Sequence, residues 1–268
     1  MKTHKTMLKN QSVFSYPWVA RIFWIRPCRF RIRAILPMLV LLLVLPAAAY
    51  SYLIPVEQLL RFTVKRIHRS KTIVITRSVH CIDPTSKEIQ AVFEDRICLD
   101  RPDLYYLEIT KAPAGNTSPD LTDSERGKDL FFYLLFLTKN TDDLTRFLSD
   151  LCINLKTESF SRLDKTIVYR IGDTEQNAPY IMIDKDRFLP LLLCYYNDSD
   201  RNEKVVVRFS DYKKIGKRWF PLEITYRKEG SVVKRYIHTD IKHGNKMVIG
   251  YPLTEMPKLP CQKITFHP

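Results

Sequence analysis

This chain has few glycines and lacks the short motifs that most often accompany catalysis. Its seven glycines are not clustered, so no glycine-rich loop could cradle a phosphate group. The sequence contains no G-x-S-x-G, no H-E-x-x-H and no C-x-x-C motif. His238 and His243 are five residues apart on an expected strand, and we interpret them as surface histidines and not as metal ligands. These absences favour a protein that is not an enzyme and uses no metal or other cofactor.

Acidic residues are also absent from the first 33 positions, which hold eight Lys and Arg. An uncharged run follows at 34–56, and its aliphatic core leads into Pro46 and three alanines. A basic flank, a short apolar core and an A-x-A end are typical of an export signal, with cleavage expected after Ala49. The alternative is an uncleaved transmembrane helix, since the run is long enough to span a bilayer. In both cases the basic flank stays in the cytoplasm, so residues 50–268 are predicted to lie in the periplasm.

The net charge of +14 does not indicate a nucleic-acid partner once its distribution is considered. Eight of the 43 Lys and Arg belong to the N-terminal flank, so residues 50–268 carry 35 against 29 Asp and Glu, a net of +6. Much of the excess lies within 201–247. This region is either a solvated face or a contact for anionic lipid headgroups or an acidic partner. We expect 1–49 to be the basic region and export signal, and 50–268 to form a single domain.

The hydrophobic period predicts a helix followed by an antiparallel sheet. The helix begins near Pro55, and its apolar stripe runs from Val56 to Ile67 at a spacing of 3.6. A long exposed loop is expected at 111–128. The predicted strands are 72–83, 88–101, 103–110, 156–162, 166–172, 178–184, 188–196, 203–213, 217–228, 231–242 and 262–267.

Two helices are expected between the third and fourth strands. The first, at 130–137, is apolar all round, and Thr141 can cap an amphipathic second one. The fold class is therefore α+β: a strongly curved antiparallel meander of about 10–11 strands, or incomplete β-barrel, with an N-terminal helix and two inserted helices covering an apolar cavity. The segment 130–137 is either part of the core or a lid over this cavity.

The second strand is expected to form one wall of the cavity, because its apolar residues alternate along one face. Arg101 has the same parity as Leu99. Its guanidinium therefore either finds acceptors on the lid or on a ligand headgroup, or reaches water where Pro102 ends the strand. The candidate ligand-binding residues are Arg101, Ile89, Ala91, Phe93, Ile97, Leu99, Leu130, Phe131, Leu134 and Leu135.

Five segments carry a resemblance to a known family through their order and spacing. They are TIVITR at 72–77, LDRPDLYY at 99–106, VRFSDY at 207–212, WFPLEITY at 219–226 and YIHTD at 236–240. With these segments the chain resembles the periplasmic outer-membrane lipoprotein carriers, the LolA/LolB-like proteins, over essentially all of 55–249. The chain departs from them after the third strand. Typical members have Ser-Asp-Gly and an aromatic strand there, whereas this chain has the 111–128 loop and the apolar 130–137 segment.

The resemblance implies an incomplete β-barrel whose helical lid covers a cavity for acyl chains. It also implies that Arg101 holds the lid shut and helps to drive release of the ligand. The implied partners are an inner-membrane releasing complex and an outer-membrane acceptor. We therefore expect a monomeric carrier that binds acyl chains of lipoproteins or lipids for transfer towards the outer membrane. The alternative is a periplasmic lipid or lipoprotein sensor or regulator of the same fold that acts through a membrane-anchored partner.

Overall fold

The computed structural model describes residues 53–67, 72–100, 104–112, 130–197, 203–244 and 254–255. The export segment up to residue 52, Arg101 and the expected last strand at 262–267 lie outside the described residues. No helix in the described part is both long and apolar enough to cross a bilayer.

The described strands form one antiparallel sheet of eleven strands. The first ten begin and end within two residues of the expected positions, because β-branched and aromatic residues alternate between clear turn signals. The strands are β1 Thr72–Ile82, β2 Ile89–Asp100, β3 Leu104–Lys111, β4 Glu158–Leu163, β5 Thr166–Ile171, β6 Tyr180–Asp184, β7 Pro190–Tyr196, β8 Lys204–Ile215, β9 Arg218–Lys228, β10 Ser231–Gly244 and β11 Thr254–Glu255.

The sheet consists of two meanders that meet in its middle. Its order is β11-β3-β2-β1-β10-β9-β8-β7-β6-β5-β4, so β1 pairs with β2 on one side and with β10 on the other. The chain between β3 and β4 therefore passes from one end of the sheet to the other. This connection carries the two inserted helices, and the connectivity places them across the sheet.

Three helical segments accompany the sheet. The first is α1 Val56–Arg66, with Glu57 in its first turn and Lys65 and Arg66 in its last, an arrangement that suits the helix dipole. The apolar 130–137 segment forms a 3₁₀ helix, Phe131–Leu137, which we call the plug. The second α-helix is α2 Thr141–Asp150, and its N-cap is Asn140, which accepts a hydrogen bond from the backbone N–H of Asp143, in place of the expected Thr141.

One core cluster receives side chains from α1, the plug, α2 and the strands β1 to β10. Strands in a sheet lie about 4.8 Å apart, so a flat sheet of this size would be roughly 50 Å wide. Helices of 10 and 11 residues are only about 15–17 Å long and cannot cover such a width. The sheet must therefore curl around the helices for all these side chains to share one core, as the fold class predicted.

Gly172 provides a test of the packing at the end of β5. Its φ is +120°, and a Cβ built there would lie 2.5 Å from the carbonyl oxygen of Pro179. Gly230 also has a positive φ, +82°, but a Cβ there would meet nothing within 4 Å. We expect Gly172→Ala to lower the free energy of unfolding by about 1–3 kcal/mol more than Gly230→Ala, because only the former adds a backbone collision. If urea unfolding showed that Gly172→Ala and Gly230→Ala lower the free energy of unfolding equally, the described backbone around Gly172 would be contradicted.

Candidate ligand site and its buried polar network

The plug fills the space that the sheet encloses. All seven of its residues are buried. Successive side chains of a 3₁₀ helix point about 120° apart, so a fully apolar sequence can make contacts on every side. Phe132 packs against the rings of Phe209, Tyr226 and Tyr236, with centroids 5.7–6.3 Å apart. The 130–137 segment has no polar face because it belongs to the core and is buried on every side.

A buried ion pair lies within this apolar interior. The Nε and Nη2 atoms of Arg77, on β1, donate to the two carboxylate oxygens of Asp95, on β2, over 2.7 and 2.9 Å. The two residues are directly opposite each other in the β1–β2 register, and they are 3% and 1% exposed. The guanidinium carbon also lies 4.2 Å from the ring centroid of Tyr236. A buried bidentate pair retains its charges only where its polar atoms find partners; here both carboxylate oxygens of Asp95 and all three nitrogens of the Arg77 guanidinium form hydrogen bonds.

The ion pair continues into a chain of hydrogen bonds that holds the plug. Nη1 of Arg77 donates to the hydroxyl oxygen of Tyr133 over 3.0 Å, and Tyr133 in turn lies 2.7 Å from Nε2 of His238. Nδ1 of His238 lies 2.6 Å from the carbonyl oxygen of Pro221. Because that carbonyl can only accept, Nδ1 carries the proton and Nε2 accepts from the Tyr133 hydroxyl. We call this chain, from Asp95 through Arg77, Tyr133 and His238 to Pro221, the tether.

The electrostatics of the tether favour one protonation state throughout. Burial lowers the pKa of His238 to about 3, although the hydrogen bond to Pro221 opposes this shift. Burial raises the pKa of Tyr133 to about 12, although the neighbouring Arg77 opposes it. Burial alone would lower the pKa of Arg77, but the Asp95 carboxylate raises it overall. At neutral pH the imidazole and the phenol are therefore neutral, and the guanidinium is charged.

The expectation that His238 is a surface histidine is wrong. His238 is 5% exposed, because it follows Tyr236 on the inward face of β10. The register between β1 and β10 shifts at Thr239, which has no partner on β1, and this places His238 opposite Arg77. The side chain of His243 lies outside the described part. Among the described residues, no group of His, Cys, Asp and Glu could hold a metal ion.

Most of the candidate ligand-binding residues come together in the core. Phe93, Ile97 and Leu99 of β2 share one cluster with the plug and the residue before it. Ala91 is half-buried, and Ile89, at the start of β2, is 56% exposed, so neither belongs to that cluster. The members from the inserted segment are Leu130, Phe131, Leu134 and Leu135, which are all buried.

The arginine that contacts the inserted segment in the described structure is Arg77, which the sequence interpretation did not single out. Its signal was present, since Arg77 shares strand parity with Ile75 and Val79. Asp95 likewise lies between Phe93 and Ile97 on the inward face of β2. Both residues are thus charged side chains at inward positions in the middle of apolar strands, the same signal that singled out Arg101 at the end of β2.

No family model and no curated protein sequence matches the chain. A solved outer-membrane lipoprotein-sorting protein domain from Vibrio parahaemolyticus is similar, with 10% identity, a TM-score of 0.41 and coverage of 71% of this chain and 93% of that one. A LolA superfamily protein from Nitrosomonas europaea has 10% identity, a TM-score of 0.42 and coverage of 73% and 96%.

A third solved structure has a different family name. It is a protein of the DUF1329 family from Desulfovibrio piger, with 14% identity, a TM-score of 0.37 and coverage of 74% of this chain and 95% of that one.

The ion pair in the tether gives a stability prediction. We expect Asp95→Asn to lower the free energy of unfolding by roughly 3–5 kcal/mol, because it leaves the Arg77 charge buried without its counter-ion. The matched control is Glu223→Gln, which breaks the half-exposed contact of Glu223 with Arg235 at 3.3 Å, and should cost less than about 1 kcal/mol. The Arg77→Met/Asp95→Leu double variant should recover much of the loss. A cost for Asp95→Asn no larger than that of the control would contradict a buried pair.

The protonation state of His238 predicts a pH dependence. The pKa of His238 is lowered on folding from 6.5 to about 3, so the unfolded chain binds the extra proton between these values. The contribution of the neutral imidazole to the free energy of unfolding is therefore complete above pH 6.5. It decreases as the pH falls from 6.5 towards 3, by up to about 1.4 kcal/mol per pH unit. Urea unfolding at pH 7.5 and 4.5 should show wild type losing stability relative to His238→Gln. His80→Gln, which changes the half-buried partner of Ser78, is the control. A difference between wild type and His238→Gln that does not vary with pH would refute the assignment.

Proposed function

We propose that this chain is an exported, non-enzymatic carrier that binds acyl chains of lipoproteins or lipids inside its curved sheet. The observation that carries the proposal is the plug: an apolar segment outside the sheet that occupies the interior and is anchored by the side chain of Tyr133. If the plug moves out, an acyl chain of the same apolar chemistry can fill the interior in its place.

The energies of the two fillings are similar. Burial of one large apolar side chain stabilises by roughly 1.5–3 kcal/mol, so the seven plug residues contribute on the order of 10–20 kcal/mol. An acyl chain of about 16 methylenes, at ~0.8 kcal/mol each, contributes about 13 kcal/mol on the same scale. Neither filling therefore dominates, which is what a carrier needs if it is to load and release its cargo.

In this proposal the candidate residues have distinct positions. Phe93, Ile97 and Leu99 form the wall that contacts the acyl chain, and the plug residues Phe131 and Leu134 are displaced from it. Exposed Ile89 and half-buried Ala91 lie at the rim of the wall, where a chain would enter. The remaining candidates, Leu130 and Leu135, would move with the plug. If the plug is the lid of the family resemblance, Arg101 would hold it shut.

The proposed setting follows from the sequence. The signal at 34–56 would direct the chain to the periplasm, either released or anchored in the inner membrane. There it would receive its cargo from an inner-membrane complex and deliver it to an outer-membrane acceptor.

Removal of the Tyr133 hydroxyl tests the proposal. Tyr133→Phe leaves the apolar volume intact but deletes two hydrogen bonds that hold the plug, so the open state should become more populated. We expect the full chain to take up a fluorescent fatty-acid probe, and Tyr133→Phe to bind it about 5–30-fold more tightly, given about 1–2 kcal/mol for the lost bonds.

The control for this experiment is Tyr212→Phe. It also removes one hydroxyl, from a half-buried tyrosine, but this hydroxyl donates to the carbonyl oxygen of Pro190, which is not part of the plug. The proposal fails if wild type and Tyr133→Phe both take up no acyl probe, or if Tyr212→Phe has the same effect on affinity as Tyr133→Phe.

A further inference from the structure

The left-handed turn that ends α2 is occupied by a cysteine. The backbone of Cys152 has a φ of +60°, and its N–H donates to the carbonyl oxygen of Ser149 over 2.9 Å. Helix ends of this conformation strongly favour glycine, because a Cβ is unfavourable there. Cys152 is half-buried, and its sulfur is part of a disulfide bond. The side chain thus has a role at this position that glycine could not fill.

The cysteine content of the chain leaves two candidates for the other half of this bond. The sequence has six cysteines. Cys81, Cys98 and Cys194 are not disulfide-bonded. The remaining two candidates are Cys28 and Cys261, which both lie outside the described residues.

The two candidates differ in the compartment that the sequence assigns to them. Cys28 belongs to the basic flank, which stays in the cytoplasm whether or not the segment at 34–56 is cleaved. Thiols are kept reduced there, whereas disulfide bonds persist in the periplasm. Cys152 and Cys261 both belong to the part of the chain that the proposed function assigns to the periplasm. Cys261 is therefore the candidate that can form the bond.

We propose that Cys152 and Cys261 form a disulfide bond, which we call the clasp. This inference rests on the proposed function for the export of the chain, and not for its cargo. Formation of the bond takes one hydrogen from each thiol. The two protons and two electrons pass to the disulfide of a periplasmic thiol–disulfide oxidoreductase, which becomes a dithiol.

The clasp connects chain segments that leave the two opposite edges of the sheet. Cys152 lies six positions before Glu158, the first residue of β4, and Cys261 lies six positions after Glu255, the last residue of β11. β4 and β11 are the two ends of the sheet order. The bond therefore adds a covalent connection between the edges, across the side on which the sheet does not close.

The length of this connection limits how far the sheet can unroll. A fully extended segment of six residues spans about 20 Å, and the Cα atoms of a disulfide lie about 5.5 Å apart, so the two edges can be separated by at most about 45 Å. The N–H of Lys156 donates to the side chain of Asn154, so the segment before β4 is turned and the limit is shorter. A flat sheet would be roughly 50 Å wide. The clasp thus keeps the sheet curled while the plug leaves the interior.

The test identifies the partner of Cys152 by mass spectrometry of the full chain, exported with its own signal and purified without reductant. The protein is alkylated in denaturant and then digested with trypsin. Cys152 lies in the tryptic peptide 147–156, Cys261 in 259–263 and Cys28 in 22–29. We expect 147–156 to be joined to 259–263, and reduction to separate the two peptides.

A second measurement tests the contribution of the clasp to the fold. Cys152→Ser, Cys261→Ser and the double variant should each lower the urea midpoint by the same amount, about 1–2 M, because each opens the same loop of about 110 residues. The matched control is Cys81→Ser, which replaces a half-buried cysteine of β1 that is not disulfide-bonded and should keep the link between 147–156 and 259–263.

The inference is overturned if 147–156 is joined to 22–29 or to the same peptide of a second copy, if Cys152 is alkylated, or if Cys152→Ser and Cys261→Ser have additive effects on the midpoint. These results are separable from the carrier test. A linked protein that takes up no fatty-acid probe would remove only the carrier. Uptake of the probe by a chain with alkylated Cys152 would remove only the clasp.

Discussion

The rest of the interior is arranged around the contact between Arg77 and Asp95. A guanidinium and a carboxylate in an apolar core are tolerated only when each has its full set of partners, so their neighbours are constrained as well. Asp95 accepts hydrogen bonds from Nε and Nη2, Tyr133 accepts one from Nη1, and the ring of Tyr236 lies against the guanidinium. The pair thus ties β1, β2 and β10 to a segment that is not part of the sheet.

This arrangement gives the plug a different kind of attachment from that of the other core elements. The strands are held by backbone hydrogen bonds to their neighbours in the sheet, and α2 begins with a side-chain cap. The plug has apolar contacts, which any hydrocarbon can replace, together with the hydroxyl of Tyr133, which a hydrocarbon cannot replace. Displacing the plug would leave Arg77 and His238 each short of a partner, which gives the closed form an advantage that a competing ligand must overcome.

Much of the fold could be predicted from the sequence, and the site only partly. Ten strands could be predicted from β-branched and aromatic residues that alternate between turn residues. This two-residue alternation of apolar side chains is visible within each strand and needs no knowledge of its neighbours. The 3₁₀ geometry of the plug was not predictable, since an apolar stretch at 130–137 has the same composition in any helical form. The role of His238 depends on the β1–β10 register and its bulge, which join positions more than 150 residues apart and leave no local signal.

His238 joins the plug to the boundary between β9 and β10. Its Nε2 accepts a hydrogen bond from the hydroxyl of the plug residue Tyr133, and its Nδ1 donates to the carbonyl oxygen of Pro221 on β9. The backbone pairing of β9 with β10 ends at Ile237, so the imidazole connects the two strands just beyond the end of their ladder. Displacing the plug would remove the donor to Nε2. By linkage, a ligand that displaces the plug and a change that moves Pro221 away from β10 would favour each other.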